Sequence, residues 1–483
     1  MSLIAILSEA LVVLDYVVKV VAVGTVPENR KPGSSSAWLL LILFLPIVGL
    51  PLFLLLGSPY VTGRRHRLQQ QVNQVIAERV ENLPSLPPGL VADAHLASLL
   101  GLNRRLTSLP CVSGDHRRLL PDGEFVGALA AAVATAERSV HVEFYIAALD
   151  ATTEPFFDAL RDAVARGVTV RFLYDHLGSR KYPGHTRMNE RLTADGVEWH
   201  RMMPIDPLRG RWRRPDLRNH RKLVVVDGRT GFVGSQNLID PGYLVRKNVR
   251  AGRRWVDLNV ELTGFVVQSL ESVFATDWLA ETGETLVQAD AVGPEPSGGS
   301  TGAFQVVPSG PGFPTEPNLR MFSALIHAAT RSVSVVSPYF IPDDGLEQAI
   351  TTAAYRGVDV ELFVSEKADQ FMVHHAQRSY YTTLLDAGVR IHMLPFPAVL
   401  HSKVLVVDGE RAVIGSSNMD MRSFSLDYEV SLLGLEPAFV GELTAKVSEY
   451  RERSRELTPA EWSQRPLRQR YLDNVMRLTA ALQ

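Results

Sequence analysis

The chain repeats itself: two stretches, 124–265 and 317–435, carry the same features in the same order. Each begins with an apolar strand pattern, continues through a helix-length segment to Arg-Gly-Val and a second strand, and reaches a third short strand after Gly-Val. Each then enters a closely matched block, at 219–237 and 400–418. Strands that alternate with helix-length segments predict βαβ units. We therefore predict an α/β fold of two lobes with mostly parallel sheets, related by a pseudo-twofold axis.

Composition narrows the class of protein. The 483 residues are 46% apolar and 21% charged, which suits a folded chain of two or three domains with a large core. The single cysteine, Cys111, excludes an internal disulfide framework and a zinc site built from cysteines. The formal net charge of −2 lacks the basic excess typical of nucleic-acid binders. We therefore expect no nucleic-acid partner.

The N-terminal region holds an uncharged apolar run at 37–57. As a helix with a rise of about 1.5 Å per residue, the run would span roughly 30 Å, the thickness of bilayer hydrocarbon. Pro46 and Pro51 are tolerated by helices in lipid. We predict a transmembrane helix here, with a buried core helix as the alternative. Basic residues after the run predict a cytoplasmic location for the rest of the chain: Arg64, Arg65 and Arg67.

A second apolar stretch, at 4–25, contains Glu9, Asp15 and Lys19. Each central charge costs about 2.5–3.5 kcal/mol on membrane insertion, whereas each large aliphatic residue returns about 0.3–0.6 kcal/mol. The aliphatic residues of the stretch therefore offset about two such charges, not three. Asp15 and Lys19 are four residues apart and can pair on a helix. A second span, an interfacial amphipathic helix and a helix packed on the first span or on another subunit all stay open.

The domain boundaries follow from these features. We predict an N-terminal membrane region, a connecting segment, a first lobe, a Gly-, Pro- and Ser-rich linker, a second lobe and a helical tail, in that order: 1–63, 64–123, 124–282, 283–303, 304–435 and 436–483. Apolar residues in the tail recur at helical spacing: Leu467, Tyr471, Leu472, Val475, Leu478 and Leu482. This pattern predicts an amphipathic helix that packs on the lobes or lies in a membrane interface.

Both matched blocks have the form His-x-Lys-x4-Asp-x6-Gly-Ser-x-Asn. A histidine and a lysine two residues apart on a strand project from the same face. Agreement at six positions in two copies favours a shared chemical role over two satisfied core histidines. The residues of the first and second copies are His220, Lys222, Asp227, Gly234, Ser235 and Asn237, and His401, Lys403, Asp408, Gly415, Ser416 and Asn418.

Two imidazoles, two ammonium groups and two amides suit phosphodiester transfer without a metal or other cofactor. One imidazole attacks phosphorus and forms a phosphohistidine, while the other protonates the leaving alkoxide and then deprotonates the incoming alcohol. The lysines supply positive charge to the non-bridging oxygens. Asp227 and Asp408 lie five residues beyond their lysines, and we expect them to be structural members of the catalytic motif. We predict further phosphate contacts from Asn237, Asn418, Ser235 and Ser416.

About eleven additional residues precede the first motif, within 204–219. They make this segment strongly basic. One interpretation is a solvated loop, and the other is a clamp for the anionic head groups of membrane lipids. The basic residues are Arg209, Arg211, Arg213, Arg214 and Arg218.

The paired motif resembles that of the phospholipase D superfamily in its two-motif form, over about 124–435. More narrowly, the chain is similar to the bacterial cardiolipin synthase family. Three features carry this likeness: the apolar N-terminal region, RNHRKLVVVDG followed by FVGSQN and a Trp-x-Asp at Trp255 and Asp257, and SPYFIPD at 337–343 followed by RSYYTTLLDAGV and SNMDMRSFSLDYE. The chain departs from the common pattern at Asn259 and Glu261, where the family has a His and an Arg.

The resemblance implies a phosphatidyltransferase of the bacterial plasma membrane that uses two phosphatidylglycerol molecules and releases glycerol. It implies His220 as nucleophile and His401 as acid and base. Because the two motifs are alike, the sequence alone does not assign these roles. Asp257 and Glu429 fall where the superfamily has carboxylates that orient the imidazoles. A phospholipase D that hydrolyses phospholipids or exchanges their head groups is the main alternative, followed by a nuclease and a non-catalytic scaffold. A homo-oligomer is compatible with all of these.

Overall fold

The computed structural model describes residues 3–28, 32–57, 90–206, 211–212, 214–286 and 302–480, and individual positions between 68 and 87. The chain divides into two compact units, one made of 1–63 with 212–216 and the other of 64–211 with 217–483.

The described residues of the first unit form the helices α1 (Leu3–Thr25), α2 (Pro32–Phe44) and α3 (Pro46–Leu52), followed by a π-helical turn at Phe53–Gly57. The helix predicted over 37–57 is therefore divided. Leu45 leaves the helical region, with φ −134° and ψ 62°, because a residue before proline is disfavoured there.

The predicted pair within α1 forms, with Lys19 Nζ 2.7 Å from the Asp15 carboxylate. Among the helices that the structure describes, none combines the length and the apolar character needed to cross a membrane.

The second unit is an α/β structure whose elements follow the predicted repeat. Between residues 94 and 282 the strands are β1 Val112–Pro121, β2 Ser139–Phe144, β3 Thr169–Asp175, β4 Glu198–Met202, β5 Ile205–Asp206, β6 Arg211–Trp212, β7 Arg218–Asn219, β8 Lys222–Val226, β9 Thr230–Gly234, β10 Arg254–Val256 and β11 Leu258–Thr263. The helices of this stretch are α4 Ala94–Thr107, α5 Phe125–Ala134, α6 Glu154–Ala165, α7 His176–Arg180, α8 His185–Ala194, α9 Arg246–Arg250 and α10 Val266–Thr282.

The part after the linker repeats this order and adds a helical tail. Its strands are β12 Gly302–Ser309, β13 Ser332–Val336, β14 Phe340–Ile341, β15 Asp359–Ser365, β16 Arg390–Leu394, β17 Ala398–Leu400, β18 Val404–Val407, β19 Arg411–Gly415, β20 Met419–Asp420, β21 Asp427–Gly434 and β22 Arg455–Leu457. Its helices are α11 Pro317–Ala328, α12 Asp344–Tyr355, α13 Phe371–Arg378, α14 Tyr381–Asp386, α15 Met421–Ser425, α16 Pro437–Arg453, α17 Pro459–Ser463 and α18 Leu467–Arg477.

One continuous sheet joins the two lobes, with the strand order β22-β16-β15-β13-β18-β19-β21-β12-β1-β11-β9-β8-β2-β3-β4. Apart from β22, the order on one side of the β12–β1 pair mirrors that on the other. β1 and β12 pair antiparallel at the centre, with Val112 opposite Phe304. This arrangement is the one that a twofold relation between the lobes requires. β1 lies in the predicted connecting segment, which therefore contributes to the sheet.

The sheet is mixed, and the predicted parallel pairing is confirmed for only part of each lobe. Parallel pairing joins β2 to β3 and β3 to β4, and likewise β13 to β15 and β15 to β16. The motif strands instead form antiparallel hairpins, β8 with β9 and β18 with β19. Only a few residues join the two strands of each hairpin, too few for the crossover that parallel pairing needs.

The tail packs on the second lobe through a polar residue. Asp473 of α18 is 1% exposed and bonds to His375 at 2.7 Å, with Arg378 and Arg465 also beside it. This supports the prediction of a helix packed on the lobes. The predicted apolar stripe is only partly correct, since Leu467 and Tyr471 face solvent. Within α18 the buried residue is Asp473, which is ion-paired.

Candidate active site

The motif hairpins bring the predicted residues to one edge of the sheet. β8 begins at Lys222, and β9, which runs back beside it, ends at Gly234. His220 and Lys222 therefore lie near the residues that follow β9, Ser235 and Asn237. The hairpin β18–β19 repeats this arrangement in the second lobe with His401, Lys403, Ser416 and Asn418.

Each motif histidine is held by the backbone of the opposite lobe. β7, just before His220, pairs with β21, and the His220 N–H donates to the Tyr428 carbonyl at 2.8 Å. β17, just before His401, pairs with β10, and the His401 N–H donates to the Val256 carbonyl at 2.8 Å. The two lobes thus meet along the segments that carry the imidazoles.

Two carboxylates orient the rings, and both act across the lobe boundary. His220 Nδ1 lies 2.9 Å from Glu429 of the second lobe, and His401 Nδ1 lies 2.6 Å from Asp257 of the first. A carboxylate on Nδ1 fixes the ring orientation and the tautomer. It also leaves Nε2 of each ring for a substrate. The structure therefore brings together both histidines and both of the carboxylates that the resemblance implied.

The motif serines contact these carboxylates. Ser235 Oγ donates to Asp257 at 2.6 Å, and Ser416 Oγ donates to Glu429. Their hydroxyl hydrogens are used there, so the prediction that Ser235 and Ser416 bind phosphate directly does not fit this geometry. They hold the carboxylates that hold the imidazoles.

The motif asparagines are tied into the protein by one amide hydrogen each. Asn237 Nδ2 donates to the Tyr243 hydroxyl at 2.7 Å, and its Oδ1 accepts the Ile146 N–H at 3.0 Å. Asn418 Nδ2 donates to Ser423 Oγ at 3.3 Å. An amide nitrogen has two hydrogens, so each side chain keeps one for a phosphate oxygen. Phosphate binding by these amides stays a prediction.

The two lysines are buried beside the histidines. Lys222 Nζ donates to the carbonyl of His220, and Lys403 Nζ to the carbonyl of His401, both at 2.5 Å. Burial lowers the pKa of Lys403 to about 8 and holds the pKa of Lys222 well below its usual value. An anionic phosphodiester would restore the charged forms, so the lysine pair is suited to binding one.

The two histidine–carboxylate pairs differ electrostatically. Burial, with Lys222, Lys403 and His401 nearby, holds the pKa of His220 well below its usual value. Burial also lowers the pKa of His401, but Asp257 opposes that shift. Burial raises the pKa of Glu429 to about 7, whereas His401 and Lys403 outweigh burial at Asp257 and lower its pKa. The internal symmetry is therefore broken at the site.

Asp227 and Asp408 lie away from the imidazoles, at the far ends of the motif strands. The Asp227 carboxylate accepts the N–H groups of Glu137, Arg138 and Ser139, at 2.7–2.9 Å. Asp408 accepts the equivalent N–H groups of residues 330–332. The structural role predicted for both aspartates fits this geometry, and their position in the motif does not make them catalytic.

Replacing Asp227 with asparagine is expected to lower stability and leave kcat unchanged. Asparagine tolerates the left-handed backbone at this position, where φ is 54°. The substitution removes the negative charge that accepts the three backbone N–H groups, and we expect this to lower the free energy of unfolding by about 1–3 kcal/mol. Thermal unfolding in detergent measures the stability, and Asp408→Asn is the matched variant. A fall in kcat with an unchanged melting temperature would contradict the structural role.

A buried ion pair that was not predicted from the sequence lies behind the first motif. Arg221, only 1% exposed, bonds to Asp277 of α10, and its Nε donates to the Glu429 carbonyl at 3.0 Å. It thus braces the peptide that carries Glu429. The equivalent position of the second motif holds Ser402, which bonds to the Tyr450 hydroxyl at 2.8 Å. The sequence signal for this ion pair was Asp277, a charged residue within the otherwise apolar segment VFATDWL.

The arginine-rich insert is only partly described. Arg218 is buried and bonds to Asp175, and Arg214 pairs with Asp216 at 2.5 Å. These two arginines have protein partners. Arg209 and Arg213 lie outside the described residues.

The side chains at the two positions that depart from the family pattern bond to residues other than the motif histidines. Asn259 exchanges hydrogen bonds with Gln236, both at 3.2 Å. Glu261 pairs with Arg118 at 2.8 Å on the surface. The departures therefore leave the two histidine–carboxylate pairs intact.

A duplicated lobe with one His-x-Lys motif per copy, meeting at crossed His–carboxylate pairs, defines a phosphodiester-transferring enzyme of the phospholipase D type. The family model described as "Cardiolipin synthase, PLD-like domain" matches residues 129–278 and 322–451. The model described as "Phospholipase_D-nuclease N-terminal" matches residues 16–58.

Relatives extend the likeness over nearly the whole chain. Cardiolipin synthase of Geobacillus kaustophilus is 36% identical over 94% of this chain and 90% of its own length. Cardiolipin synthase A of Proteus mirabilis is 32% identical over 92% of each. The fold is similar to that of the Haemophilus influenzae phosphatidylserine synthase, with a TM-score of 0.59 at 16% identity over 80% of this chain and all of that one. The chain belongs to the phospholipase D-like cardiolipin synthase family.

Proposed function

We propose that this phosphatidyltransferase makes cardiolipin from two molecules of phosphatidylglycerol through a phosphohistidine on His220. The observation that carries the proposal is the crossed pair of imidazoles, His220 with Glu429 and His401 with Asp257, in one site. A single phosphorus can be approached by one ring and its leaving oxygen by the other.

In the first step His220 Nε2 attacks the phosphorus of one phosphatidylglycerol. The bond from phosphorus to the glycerol head-group oxygen breaks, and that oxygen takes a proton from His401. Glycerol leaves, and the phosphatidyl group stays on His220. Lys222 and Lys403 neutralise the charge on the non-bridging oxygens, where it is greatest in the transition state.

In the second step the head-group hydroxyl of another phosphatidylglycerol attacks the phosphohistidine. His401, now neutral, takes the proton of that hydroxyl as the new phosphorus–oxygen bond forms and the nitrogen–phosphorus bond breaks. The product is cardiolipin, and both histidines return to their first state. Burial of the two rings keeps competing water away from the intermediate.

The unequal environments of the two rings support the assignment of roles. A nucleophile must be neutral, and burial among Lys222, Lys403 and His401 favours neutral His220. A proton donor must be charged. Burial lowers the pKa of His401 too, but the ionised Asp257 at 2.6 Å opposes that shift, so His401 holds a proton more readily than His220. The sequence alone left these roles symmetric.

The N-terminal unit supports a location at the bacterial plasma membrane. Large apolar side chains lie exposed on it, with Ile47 90%, Phe44 78% and Val20 72% exposed. Contact with lipid would remove this apolar surface from water. We propose that the segments over 4–25 and 37–57 anchor the enzyme in the membrane, with the catalytic lobes on the cytoplasmic side.

Purified enzyme incubated with phosphatidylglycerol alone tests the proposal. Cardiolipin and free glycerol should form in equal amounts, measured by mass spectrometry and an enzymatic glycerol assay. Accumulation of phosphatidic acid instead of cardiolipin would identify a hydrolytic phospholipase D and overturn the proposal.

A further inference from the structure

Three segments with exposed apolar side chains lie beside the catalytic residues: the one that leads into and forms α9, the start of α13, and the turn at Phe396. We define the rim as Leu244 and Val249 of the first lobe with Phe371, Met372 and Phe396 of the second. Val249 and Phe371 are 60% and 62% exposed, and the others are more than a third exposed. Large exposed apolar side chains that cluster in this way mark an interaction surface.

Contacts between these segments hold the rim together. Arg253 Nη2 donates to the Ala368 carbonyl at 3.3 Å, which joins the two lobes. The Arg254 N–H donates to the Pro397 carbonyl at 3.4 Å, and Lys367 Nζ lies 5.1 Å from the centre of the Phe396 ring. The rim is therefore one surface shared by both lobes.

The rim lies directly against the active site. Tyr243, next to Leu244, accepts the hydrogen bond of Asn237, and Asp369, close to Phe371, acts electrostatically on Lys403. Tyr243 and Leu244 both have positive φ, 54° and 45°. This uncommon backbone lets the tyrosine bond Asn237 while its neighbour is exposed to solvent.

Basic side chains surround the first-lobe part of the rim. Arg246, Lys247 and Arg250 of α9 are exposed on either side of Val249. None of these three side chains forms an ion pair within the described part of the chain. Apolar side chains flanked by cations are the pattern that inserts into an anionic membrane interface.

We infer that the rim inserts into the head-group layer of a bilayer that contains anionic lipid and so brings the active site to its substrates. This inference rests on the proposed function in one respect, namely that the substrate is drawn from a bilayer. The acyl chains can then stay in the membrane while the phosphodiester reaches the imidazoles. A second copy of the chain is the alternative occupant of the rim.

A fluorescence experiment on the full chain tests the inference without requiring turnover. Val249→Cys and Phe371→Cys are each labelled with an environment-sensitive fluorophore and reconstituted in phosphatidylglycerol–phosphatidylcholine vesicles that carry brominated acyl chains. The native Cys111 is buried with a pKa of about 12, so it should not compete for the label. Tyr355→Cys is the matched control, because Tyr355 is 71% exposed but precedes β15, at the opposite edge of the sheet.

We expect brominated lipid to quench the labels at 249 and 371 at least twofold, and more strongly in vesicles with phosphatidylglycerol than in those with phosphatidylcholine alone. The label at 355 should not be quenched. Equal quenching at all three positions, or none at 249 and 371, would overturn the inference. Concentration-dependent cross-linking between the 249 and 371 positions of two copies, without quenching, would identify a subunit interface instead. Cardiolipin formation measured in the same vesicles tests the proposed function separately.

Discussion

An enzyme in which alanine replaces His401 is expected to load a phosphatidyl group onto His220 and then stop. Turnover of phosphatidylglycerol should fall by about 10²–10⁴, the usual contribution of a general acid and base. With phosphatidyl-p-nitrophenol as donor, the leaving group needs no proton. One equivalent of nitrophenolate should then be released in a burst, and the phosphohistidine should persist because no base activates the incoming alcohol.

The same assay on His220→Ala should show neither burst nor turnover. His327→Ala, at an exposed histidine of α11, is the control and should behave as the unchanged enzyme. A burst in His220→Ala and none in His401→Ala would reverse the two roles. A normal rate of transfer in either variant would exclude the two-imidazole mechanism.

Part of this site could be predicted from the sequence because it depends on local spacing along the chain. The His-x-Lys spacing on a strand and the hairpin that follows are local features, and the structure has them as β8–β9 and β18–β19. The partners of the imidazoles lie far along the chain, with His220 bonded to Glu429 and His401 to Asp257. Only the resemblance to a family suggested these carboxylates.

Other features depended on packing that no short window contains. Arg221 bonds to Asp277 of α10, and Asp473 of α18 bonds to His375 of α13. Neither pairing follows from periodicity, because the partners lie on separate elements. The apolar stripe predicted for α18 was only partly correct for the same reason, because the buried Asp473 and its partner His375 lie on different elements. At Leu45, by contrast, the break was local: a proline follows, and its steric effect on the preceding residue is visible in the sequence.

Replacing Glu429 with glutamine is expected to lower kcat/KM by about 10³–10⁴. A carboxylate that fixes the tautomer of a catalytic imidazole contributes about this much in hydrolases with a Ser-His-Asp triad. The amide can present its nitrogen rather than its oxygen to Nδ1 and so place the ring proton on the wrong nitrogen. Asp257→Asn is the matched variant at the other pair, with a loss of similar size.

The pH dependence of kcat/KM separates the two variants. Burial raises the pKa of Glu429 to about 7, so its carboxylate is charged above that pH and is protonated as the pH falls through it. His220 then loses its charged partner, and we expect kcat/KM of the unchanged enzyme to fall on the acid side of pH 7. This limb should be absent in Glu429→Gln, whose amide does not titrate. It should persist in Asp257→Asn, because the pKa of Asp257 is lowered and that group stays ionised throughout this range. An acid limb near pH 7 that survives in Glu429→Gln would show that another group controls it, and the electrostatic difference between the two pairs would then not govern catalysis.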